Sequence, residues 1–523
     1  MALAVDMISG ALDQGERILI HGDYDVDGVA ASALLQRALT ALGGKVDTHL
    51  PHRLNEGYGL SKAAIDRAAD NGASLLITVD CGTGAAEEIA YAHSRGLRVV
   101  ITDHHHCYTA KHEPSKDQPM INGTASTESA AAPEVNPQRA DSRYPFADLS
   151  GVGVAFKLVE ALAARKQVPP RAHWRFLDLV ALGTVADVSP LVGENRVLVK
   201  MGLDSIGNSN KVGINALMRA AGLSPPVSSQ QVAFVLAPRL NAAGRLAHPE
   251  EALRLLTTQD EAEAESLAEA LCQHNRMRQE EESKTLQEAL EMIDEEGFEN
   301  DAALLLAKAG WHPGVIGIVA SRLVELFHRP VLLVALPAAR SNKKGGVGSA
   351  RTISGFPLWD ALHHCRRFLL RYGGHEKAAG FAVLPEKILI LRESLCELAR
   401  EWLSDEDLQP SLEVDILAKA ANLTLPAVEE LSRLEPFGAA NPAPTITARD
   451  LKVTGITRVG ENGSHLRLQL HEKGGPVLRA IWFGQGGLAE KLKTGQTVDV
   501  CLNPRIGTWN GAQTVDFRLQ DVA

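Results

Sequence analysis

Hydrophobic and polar residues follow a strand-and-helix pattern through the N-terminal part of the chain. Short runs rich in β-branched residues are separated by alanine-rich stretches with helical spacing, and these runs are RILIHGD (17–23), KVDTHLP (45–51), SLLITVD (74–80) and RVVITDH (98–104). Such spacing is typical of βαβ units. It predicts an α/β domain with a parallel, doubly wound sheet, in which ligands bind beyond the carboxyl ends of the strands.

The pattern changes twice further along the chain. A long, charged helical pattern runs from about Thr258 to Glu296 and ends at Gly297, and by itself it would fit a coiled-coil arm. Residues 303–323 then indicate a strand, a turn and a helix, and 330–336 another strand. From about residue 411 onward, short runs alternate apolar and polar residues, which is typical of a small all-β barrel.

Length and composition add limits. The 523 residues are 45% hydrophobic, and we expect three or four domains because single domains rarely exceed ~250–300 residues. We find no run of about 18 apolar residues and no secretory signal, so we expect no membrane span and a cytoplasmic location. The cysteines at 81, 107, 272, 365, 396 and 501 have no CxxC spacing, which argues against a zinc module or a disulfide framework.

The net charge restricts how a polyanion would bind. A formal charge of −11 opposes capture by the whole surface, so a nucleic acid would need a local basic groove. One candidate is HHCRRFLLRYGGHEK (363–377), preceded by Asn342-Lys343-Lys344. A solvated helix end is the commoner explanation of a single run of charges.

Acidic and imidazole side chains collect at the predicted strand ends. Asp23, Asp25 and Asp27 follow the first strand, Asp80 ends the third, and Asp103-His104-His105 follow the fourth. A lone aspartate after a strand is usually a turn former or a helix N-cap. Converging carboxylates, however, cannot all stay ionised without a counter-charge. A divalent cation supplies it, and oxygen-rich ligation with a histidine favours Mn²⁺ or Mg²⁺ over zinc.

At these residues the chain resembles the DHH phosphoesterase superfamily. HGDYDVDG (21–28), TVDCGT (78–83), TDHHH (102–106) and GTVADVSPL (183–191) resemble its four motifs. Downstream, APRLNAAGR (237–245), GSARTISG (348–355), GGHEKAAG (373–380) and EPFGAANPAP (435–444) resemble specifically the RecJ single-strand-specific 5′ to 3′ exonucleases. The resemblance extends over nearly the whole chain, in the same order.

The resemblance implies a pair of bound ions, Mn²⁺ or Mg²⁺. The implied metal ligands are Asp25, Asp27, Asp80, His104 and Asp187, with Asp23 as a further candidate. His21 is either another ligand or a strand-end histidine bonded to backbone. Asp80, His104 and His105 would carry the chemistry, with His105 as a supporting group or substrate contact. Two ions ~3.5–4 Å apart can activate a water and stabilise the leaving oxygen, so no protein nucleophile is needed.

The resemblance also implies a pocket for the phosphate at the end of the strand. Arg53, Ser349 and Arg351 would form it, because arginine and hydroxyl donors recognise the extra charge of a terminal phosphate. Further contacts would come from Arg239, Asn241, Arg245, Gly374 and His375. Either of the arginines at 239 and 245 could instead form an interdomain salt bridge.

The implied architecture has four parts. They are a DHH catalytic domain (1–200), a helical connector whose long helix joins two catalytic lobes (201–298), a smaller α/β domain of the DHHA1 type (299–404) and an OB-like nucleic-acid-binding β-barrel (405–523). In the barrel, the candidates for stacking on bases are Phe437, His465, Trp482, Phe483 and Trp509. Most aromatic residues on such strands are core. Two features differ from the family pattern: the polar stretch 107–132 is longer than the usual connection, and less sequence precedes the first motif, which leaves a truncated or alternative start open.

Three functions follow as hypotheses. The first is a metal-dependent 5′ to 3′ exonuclease that hydrolyses single-stranded DNA to mononucleotides in recombination and repair. The second is a phosphodiesterase of short oligonucleotides or cyclic dinucleotides, which has no use for a barrel. The third is a non-catalytic single-strand-binding scaffold, which has no reason to keep repelling acids. The family implies single-stranded DNA, single-strand-binding protein and a RecQ-type helicase as partners of a monomer, with no membrane.

Overall fold

The computed structural model describes residues 1–53, 56–106, 132–337, 345–509 and 512–523. Most of the polar stretch 107–132 and the Asn342-Lys343-Lys344 segment therefore lie outside the described residues. The chain divides into two units, one of residues 1–189 and 193–410 and the other of residues 190–192 and 411–523.

The N-terminal sheet is the predicted parallel, doubly wound sheet. Its strands are β1 (Arg17–His21), β2 (Lys45–His49), β3 (Leu75–Val79), β4 (Arg98–Thr102) and β5 (Glu134–Val135), in the order β2-β1-β3-β4-β5. The helices of this part are α1 (Ala2–Asp13), α2 (Val26–Ala41), α3 (Lys62–Asp70), α4 (Ala86–Ser94) and α5 (Gly151–Arg165). All the strand pairs are parallel. Because β1, β3 and β4 are neighbours, the polar residues that follow them meet at one edge.

A helical region leads to the second lobe. It contains α6 (Leu177–Ala186), α7 (Gly193–Gly207), α8 (Val212–Ala220), α9 (Ser229–Gln231), a π-helical turn (Val232–Leu236), α10 (Ala237–Leu246), α11 (Glu250–Thr257) and α12 (Glu261–Glu296). The long helix α12 starts three residues after the predicted Thr258, because the side chain of Asp260 accepts hydrogen bonds from the N–H groups of Ala262 and Glu263. It ends where Gly297 takes the left-handed conformation, at φ 70°.

The second lobe is a mixed sheet with helices on both faces. Its strands are β6 (Leu304–Ala309), β7 (Val331–Leu336), β8 (Gly346–Arg351), β9 (Leu369–Gly374) and β10 (Ala378–Val383), in the order β6-β7-β8-β10-β9, and its helices are α13 (Ile316–Phe327), α14 (Leu358–His364) and α15 (Ile388–Trp402). Helices α14 and α15 pack on one face, around Phe381 and Leu395. Helix α13 packs on the other face against β7 and β8, and it also contacts α12. The long helix thus packs against α8, α10 and α11 of the helical region and against α13 of the second lobe, and its role as a strut stays a prediction.

The second unit is a closed barrel. Its elements are β11 (Ile416–Leu417), α16 (Leu425–Ser432), β12 (Ile446–Val459), β13 (His465–His471), β14 (Val477–Trp482), β15 (Thr497–Trp509) and β16 (Ala512–Val522). The pairing of β12 with β15 closes the ring β12-β13-β14-β16-β15. The predicted barrel is confirmed, but only two residues of 411–420 form a strand, in which Ile416 and Leu417 pair with Ile446 and Thr447 of β12.

The length and hydropathy of the helices test whether any of them could span a membrane. Among the described residues, no helix combines the length and the apolar character needed to cross a bilayer.

Candidate metal centre and substrate site

The turn after β1 brings three aspartates to the start of α2. Asp25 is the N-cap of this helix, and its Oδ1 accepts a hydrogen bond of 3.1 Å from the N–H of Gly28. Asp23 is buried, and its Oδ1 has no hydrogen-bond partner. Burial and the adjacent charge of Asp25 raise the pKa of Asp23 well above its usual range.

Asp27 is held by the N-terminus of a different helix. Its Oδ2 accepts a hydrogen bond of 2.6 Å from the N–H of Gly151, and its Oδ1 accepts one of 2.9 Å from the N–H of Val152, both in the first turn of α5. Burial and the charges of Asp187 and Asp25 raise the pKa of Asp27 well above its usual range, against the effect of these two donors. The carboxylate of Asp27 is therefore held in place by two hydrogen bonds, while the neighbouring carboxylates repel it.

Asp80 lies at the carboxyl end of β3 in an unusual backbone conformation. Its φ is +59°, a left-handed value that costs free energy for a residue other than glycine and is found mostly at functional sites. Burial and the charges of Asp27 and Asp25 raise the pKa of Asp80 well above its usual range. The Nε2 of His104 lies 3.1 Å from its Oδ1, yet neither atom makes a hydrogen bond of good geometry.

Asp187 ends helix α6 close to the same place. The hydroxyl of Ser189 donates a hydrogen bond to its Oδ2. Burial, assisted by the charge of Asp25, raises the pKa of Asp187 to about 7, although the bond from Ser189 opposes the rise. This carboxyl therefore ionises near neutral pH unless a cation is present.

The predicted ligands converge into groups with the spacing of a metal site. Among the described residues, three sets each offer ligand atoms that all lie within 4.8 Å of one another, and they are Asp80/His104/His105, Asp27/His104/Asp187 and Asp23/Asp25/Asp80. Asp80 and His104 are each shared by two of these sets. Three buried atoms that have no hydrogen-bond partner belong to this cluster, and they are Asp23 Oδ1, Asp80 Oδ1 and His104 Nε2. Carboxylates with imidazole nitrogen fit Mn²⁺ or Mg²⁺.

A second network holds His105 beside the cluster. The Nδ1 of His105 donates a hydrogen bond of 2.7 Å to Asp103 Oδ1, and the N–H of Thr83 donates one of 2.8 Å to Asp103 Oδ2. Burial opposes ionisation of Asp103, but these donors lower its pKa to about 2. Burial likewise opposes the charge on His105, yet the bond to Asp103 raises the pKa of His105 to about 9.

Sequence reasoning assigned no role to Asp103 or to Tyr58. The hydroxyl of Tyr58 lies 3.2 Å from His105 Nδ1 and donates to the carbonyl oxygen of Asp80 at 3.3 Å. The position of Asp103 in the TDHHH motif could have indicated its role, whereas nothing in the local pattern marks Tyr58. For His21, the structure favours the second of the two alternatives: its Nε2 lies 3.2 Å from the carbonyl oxygen of Gly59, and it belongs to none of the three sets.

The residues predicted to bind a terminal phosphate form a cationic cluster. The guanidinium of Arg53 lies 5.0 Å from the ring centroid of Tyr24, and Nη1 of Arg351 donates to Ser349 Oγ at 3.3 Å. Burial and the charges of Arg53 and Arg278 lower the pKa of Arg245 to about 9, and burial with Arg53 lowers the pKa of Arg351. Arginines that lower one another's pKa favour an anion between them.

The remaining predicted contacts lie in several places. Nη1 of Arg245 donates to the carbonyl oxygen of Gly314 at 3.0 Å, so this residue joins the helical region to the second lobe by a hydrogen bond. Arg239 is turned toward α12, where its Nε donates to the sulfur of Cys272 at 3.3 Å. Within the described part of the chain, neither guanidinium forms the salt bridge considered as its alternative role. Asn241 lies on α10 beside the aspartate turn, where its Oδ1 accepts a bond from Val26.

The loop after β9 reaches the network around His105. The ring of His375 is stacked on that of His105, with centroids 6.3 Å apart and planes at 14°. Gly374 precedes it with φ 138°, a conformation that side-chain-bearing residues rarely adopt. The basic segment 363–377 forms the end of α14, a 3₁₀ turn and the edge strand β9, so the helix-end interpretation describes only its beginning.

The barrel aromatics differ in exposure. Phe483 is 42% exposed, lies 5.1 Å from the ring of His465 and lies under the guanidinium of Arg518. Trp482 packs against the barrel core, and Phe437 lines a small cavity with Leu431 and Ile506. The side chain of Trp509 lies outside the described residues. Phe483 and His465 are the candidates that the structure leaves best placed for stacking.

Three family models match the chain in order. The DHH family N-terminal domain matches residues 17–184, the DHHA1 domain matches 300–405, and the RecJ OB domain matches 414–521. Together they cover both lobes and the barrel.

Individual proteins match over the full length of the chain. The single-stranded-DNA-specific exonuclease RecJ of Bacillus subtilis (strain 168) is 36% identical over 524 residues, which are 100% of this chain and 63% of that protein. RecJ of Dickeya dadantii (strain 3937) is 35% identical, over 99% of this chain and 89% of that protein. The crystal structure of RecJ in complex with Mn²⁺ from Thermus thermophilus superposes with a TM-score of 0.80 at 34% identity, over 100% of this chain and 71% of that chain. This chain thus spans less than two thirds of the Bacillus relative.

Proposed function

Because the chain belongs to the RecJ family of single-stranded-DNA-specific exonucleases, we propose that it hydrolyses single-stranded DNA from the 5′ end and releases mononucleotides, with divalent metal ions as cofactor. The biological role that follows is strand degradation in recombination and repair. Binding of single-strand-binding protein and of a RecQ-type helicase stays a prediction that rests on the family alone. The same holds for the monomeric state.

One observation carries this proposal. Asp80 and His104 each belong to two of the three sets of metal-capable groups and so link them into one cluster. The lobe that supplies Ser349 and Arg351 also supplies His375, whose ring is stacked on that of His105. A site that brings carboxylates and arginines together in one place suits a phosphodiester, which needs cations at its reacting oxygens and donors on its charged end.

The residues that would hold the ions are Asp23, Asp25, Asp27, Asp80, His104 and Asp187. Bound there, a pair of ions would lower the pKa of a water and polarise the phosphoryl oxygens for in-line displacement. The crystal structure of the Thermus relative is of a complex with Mn²⁺, which supports Mn²⁺ as a cofactor.

The other residues of the site bind and orient. Arg53, Ser349 and Arg351 would bind the terminal phosphate through charge-assisted hydrogen bonds, which fix the strand end relative to the aspartates. Asp103 accepts a hydrogen bond from His105 Nδ1, and this bond holds the imidazole toward the reacting region, where it can donate to a phosphate oxygen. Recognition of the charged end is what would make the cleavage exonucleolytic.

The two competing functions have less support. A dinucleotide phosphodiesterase gains nothing from the closed five-stranded barrel at residues 446–522, because its substrate is too short to use a second binding surface. A scaffold that only binds DNA gains nothing from four clustered carboxyls whose pKa values are raised by burial and by one another. Burying such charges destabilises the fold, and a bound cation would offset that cost.

The direct test uses strands labelled at either end. The purified full chain is incubated with 5′- or 3′-labelled single-stranded and duplex DNA, with Mn²⁺, Mg²⁺ or chelator. We expect mononucleotides from free 5′ ends of single strands only, no reaction in chelator, and no reaction with Asp80→Ala. Asp204→Ala, which removes an exposed carboxylate on α7, is the matched control and should behave as wild type. Cleavage limited to dinucleotides, or binding without turnover, would contradict the proposal.

A further inference from the structure

Glu56 is a partly buried carboxylate that belongs to none of the three metal-capable sets. It lies between β2 and α3, shortly after Arg53 of the terminal-phosphate pocket. Its Oε1 accepts a hydrogen bond of 3.1 Å from the backbone N–H of His52, and its Oε2 accepts one of 2.6 Å from Nη2 of Arg67. Burial opposes ionisation of Glu56, but these two donors lower its pKa to about 2. The carboxylate is therefore ionised at neutral pH.

The bond to His52 fixes the backbone next to Arg53. The carbonyl oxygen of His52 accepts a hydrogen bond of 2.8 Å from the N–H of Glu56, while the N–H of His52 donates to the Glu56 side chain. Two hydrogen bonds of opposite direction thus join these residues. Arg53 directly follows His52, and its guanidinium lies 5.0 Å from the ring centroid of Tyr24. Because a side chain reaches only as far as its backbone allows, the Glu56 carboxylate restricts where the Arg53 guanidinium can lie.

Arg67 attaches this carboxylate to the rest of the domain. Arg67 belongs to α3, and its Nη2 lies 2.8 Å from Nε2 of His49, the last residue of β2. A guanidinium only donates, so Nε2 of His49 accepts this bond and the imidazole is neutral. Burial and the charge of Arg67 lower the pKa of His49, in agreement with this form. Glu56 is therefore held from the end of a sheet strand and from a helix.

Folding stability gives little reason for this arrangement. The side chain of Arg67 is 53% exposed, and an ion pair with so much exposure contributes little to the free energy of folding, because water screens it. Charge-assisted bonds at both oxygens of a carboxylate can nevertheless fix the geometry of the groups that donate them. A binding site benefits from such order, because a side chain that is already in place loses less entropy when its ligand binds.

We propose that Glu56, held by Arg67, is a positioning residue that keeps Arg53 in place for the terminal phosphate. Glu56 and Arg67 act through Arg53 and do not themselves touch the phosphate. The order that they give to the backbone at His52 sets how strongly a phosphorylated 5′ end is recognised. This inference rests on the proposed function, since the 5′ end belongs to the single-stranded DNA substrate, but it concerns residues outside the metal centre and the terminal-phosphate pocket.

The ratio of two dissociation constants tests this role apart from catalysis. Fluorescence anisotropy in chelator gives Kd for two 3′-labelled single strands that differ only in a 5′ phosphate or a 5′ hydroxyl. The wild type should bind the phosphorylated strand more tightly. Glu56→Ala should reduce this preference about tenfold by weakening binding of the phosphorylated strand. Binding of the hydroxyl strand should change little, because only a phosphate needs the Arg53 guanidinium in place.

The partner arginine supplies further variants. Arg67→Gln should reduce the preference about threefold, the size expected of a partly exposed ion pair. Arg67→Lys keeps the positive charge and should restore most of the preference. In the Glu56→Ala background, Arg67→Gln should have no further effect on the ratio, because the effects of two residues in one network are not additive.

A second ion pair on the same helix is the matched control. Arg95 pairs with Asp66 and Asp70 of α3, and its side chain is 37% exposed. Arg95→Gln should keep the wild-type preference for the phosphorylated strand. Thermal unfolding of each variant should begin from a folded protein, with a midpoint lowered by a few degrees at most.

Three results would overturn the positioning role. They are a Glu56→Ala variant with the wild-type preference, a variant whose affinity falls equally for both strands, and a wild type that binds both strands equally. The outcome for the exonuclease function is separate. If the ratio changes as expected but the wild type releases no nucleotides with Mn²⁺ or Mg²⁺, the proposed exonuclease function fails and the role of Glu56 stands. If strands are degraded from the 5′ end while Glu56→Ala keeps the preference, the reverse holds.

Discussion

The Oδ1 of Asn241 accepts a hydrogen bond of 3.1 Å from the backbone N–H of Val26, the residue between Asp25 and Asp27. This bond attaches helix α10 to the turn of the predicted metal ligands. The contact is close along the helix, since a Cβ at Gly244 would lie 2.6 Å from the carbonyl oxygen of Tyr24. One turn of α10 thus supports the metal centre.

Asn241→Ala should weaken metal binding more than it weakens folding. The substitution leaves the N–H of Val26 without its partner, and a lost hydrogen bond of this kind costs about 1 kcal/mol. If the lost bond displaces the aspartates, Mn²⁺ binding weakens by the same free energy, and the Kd for Mn²⁺ rises roughly fivefold. Titration calorimetry measures this Kd. Asn208→Ala, an exposed asparagine whose Nδ2 donates to Asp204, is the control. An unchanged Mn²⁺ affinity would show that α10 does not position the ligands.

The raised pKa values predict opposite pH dependence with and without metal. Asp187 has a pKa of about 7 in the folded protein, whereas an unfolded aspartate ionises near 3.9. The folded protein keeps a proton that the unfolded chain releases, so metal-free stability should fall as pH rises from about 4 to 7. Mn²⁺ affinity should rise over the same range, because the ion needs the ionised ligand.

Thermal unfolding across this pH range, in chelator and in Mn²⁺, measures both effects. Asp187→Asn should flatten the chelator curve, because it removes one of the carboxyls that titrate in this window. A metal-free protein that becomes more stable between pH 4 and 7 would contradict the assignment of these acids as repelling one another.

Asp103→Asn should move the alkaline side of the pH–rate profile. Its bond to Nδ1 keeps the pKa of His105 at about 9, so His105 is charged at neutral pH. Without that carboxylate the pKa of His105 falls, and kcat at pH 8 should drop by about 10²-fold, with recovery toward lower pH. The profile of kcat with Mn²⁺ measures this shift. His106→Ala removes the exposed neighbouring imidazole and should keep the wild-type profile.

Arg351→Gln should remove the preference for a phosphorylated end. A charge-assisted bond contributes about 1.5–3 kcal/mol, which corresponds to roughly a 10- to 150-fold rise in KM for 5′-phosphorylated strands. Strands with a 5′ hydroxyl should be affected much less, and this difference separates recognition from folding. Equal effects on both substrates would place Arg351 outside the terminal-phosphate pocket.

Much of the fold was accessible from local pattern alone. The hydrophobic pattern and the composition of a strand are set by residues close together in the sequence. The predicted strands 17–23 and 74–80 therefore agree with β1 and β3 to within two residues at each end. The exception at 411–420 has the same alternation but forms only Ile416–Leu417, because a strand also needs a paired neighbour, and β12 pairs with it only at Ile446 and Thr447.

The sequence by itself determined which chemistry the chain carries: acids and imidazoles after buried strands, in an order that matches one family, and glycines interrupting strands. Only the tertiary structure decided which of these groups meet. In the folded chain, His21 lies within hydrogen-bond distance of Gly59 and Arg239 donates to Cys272. Asn241 accepts a hydrogen bond from Val26, and Gly380 is paired with Ser349 across two strands. Side-chain type is a local property, but proximity between distant segments is set by sheet order and helix packing, which depend on the whole chain at once.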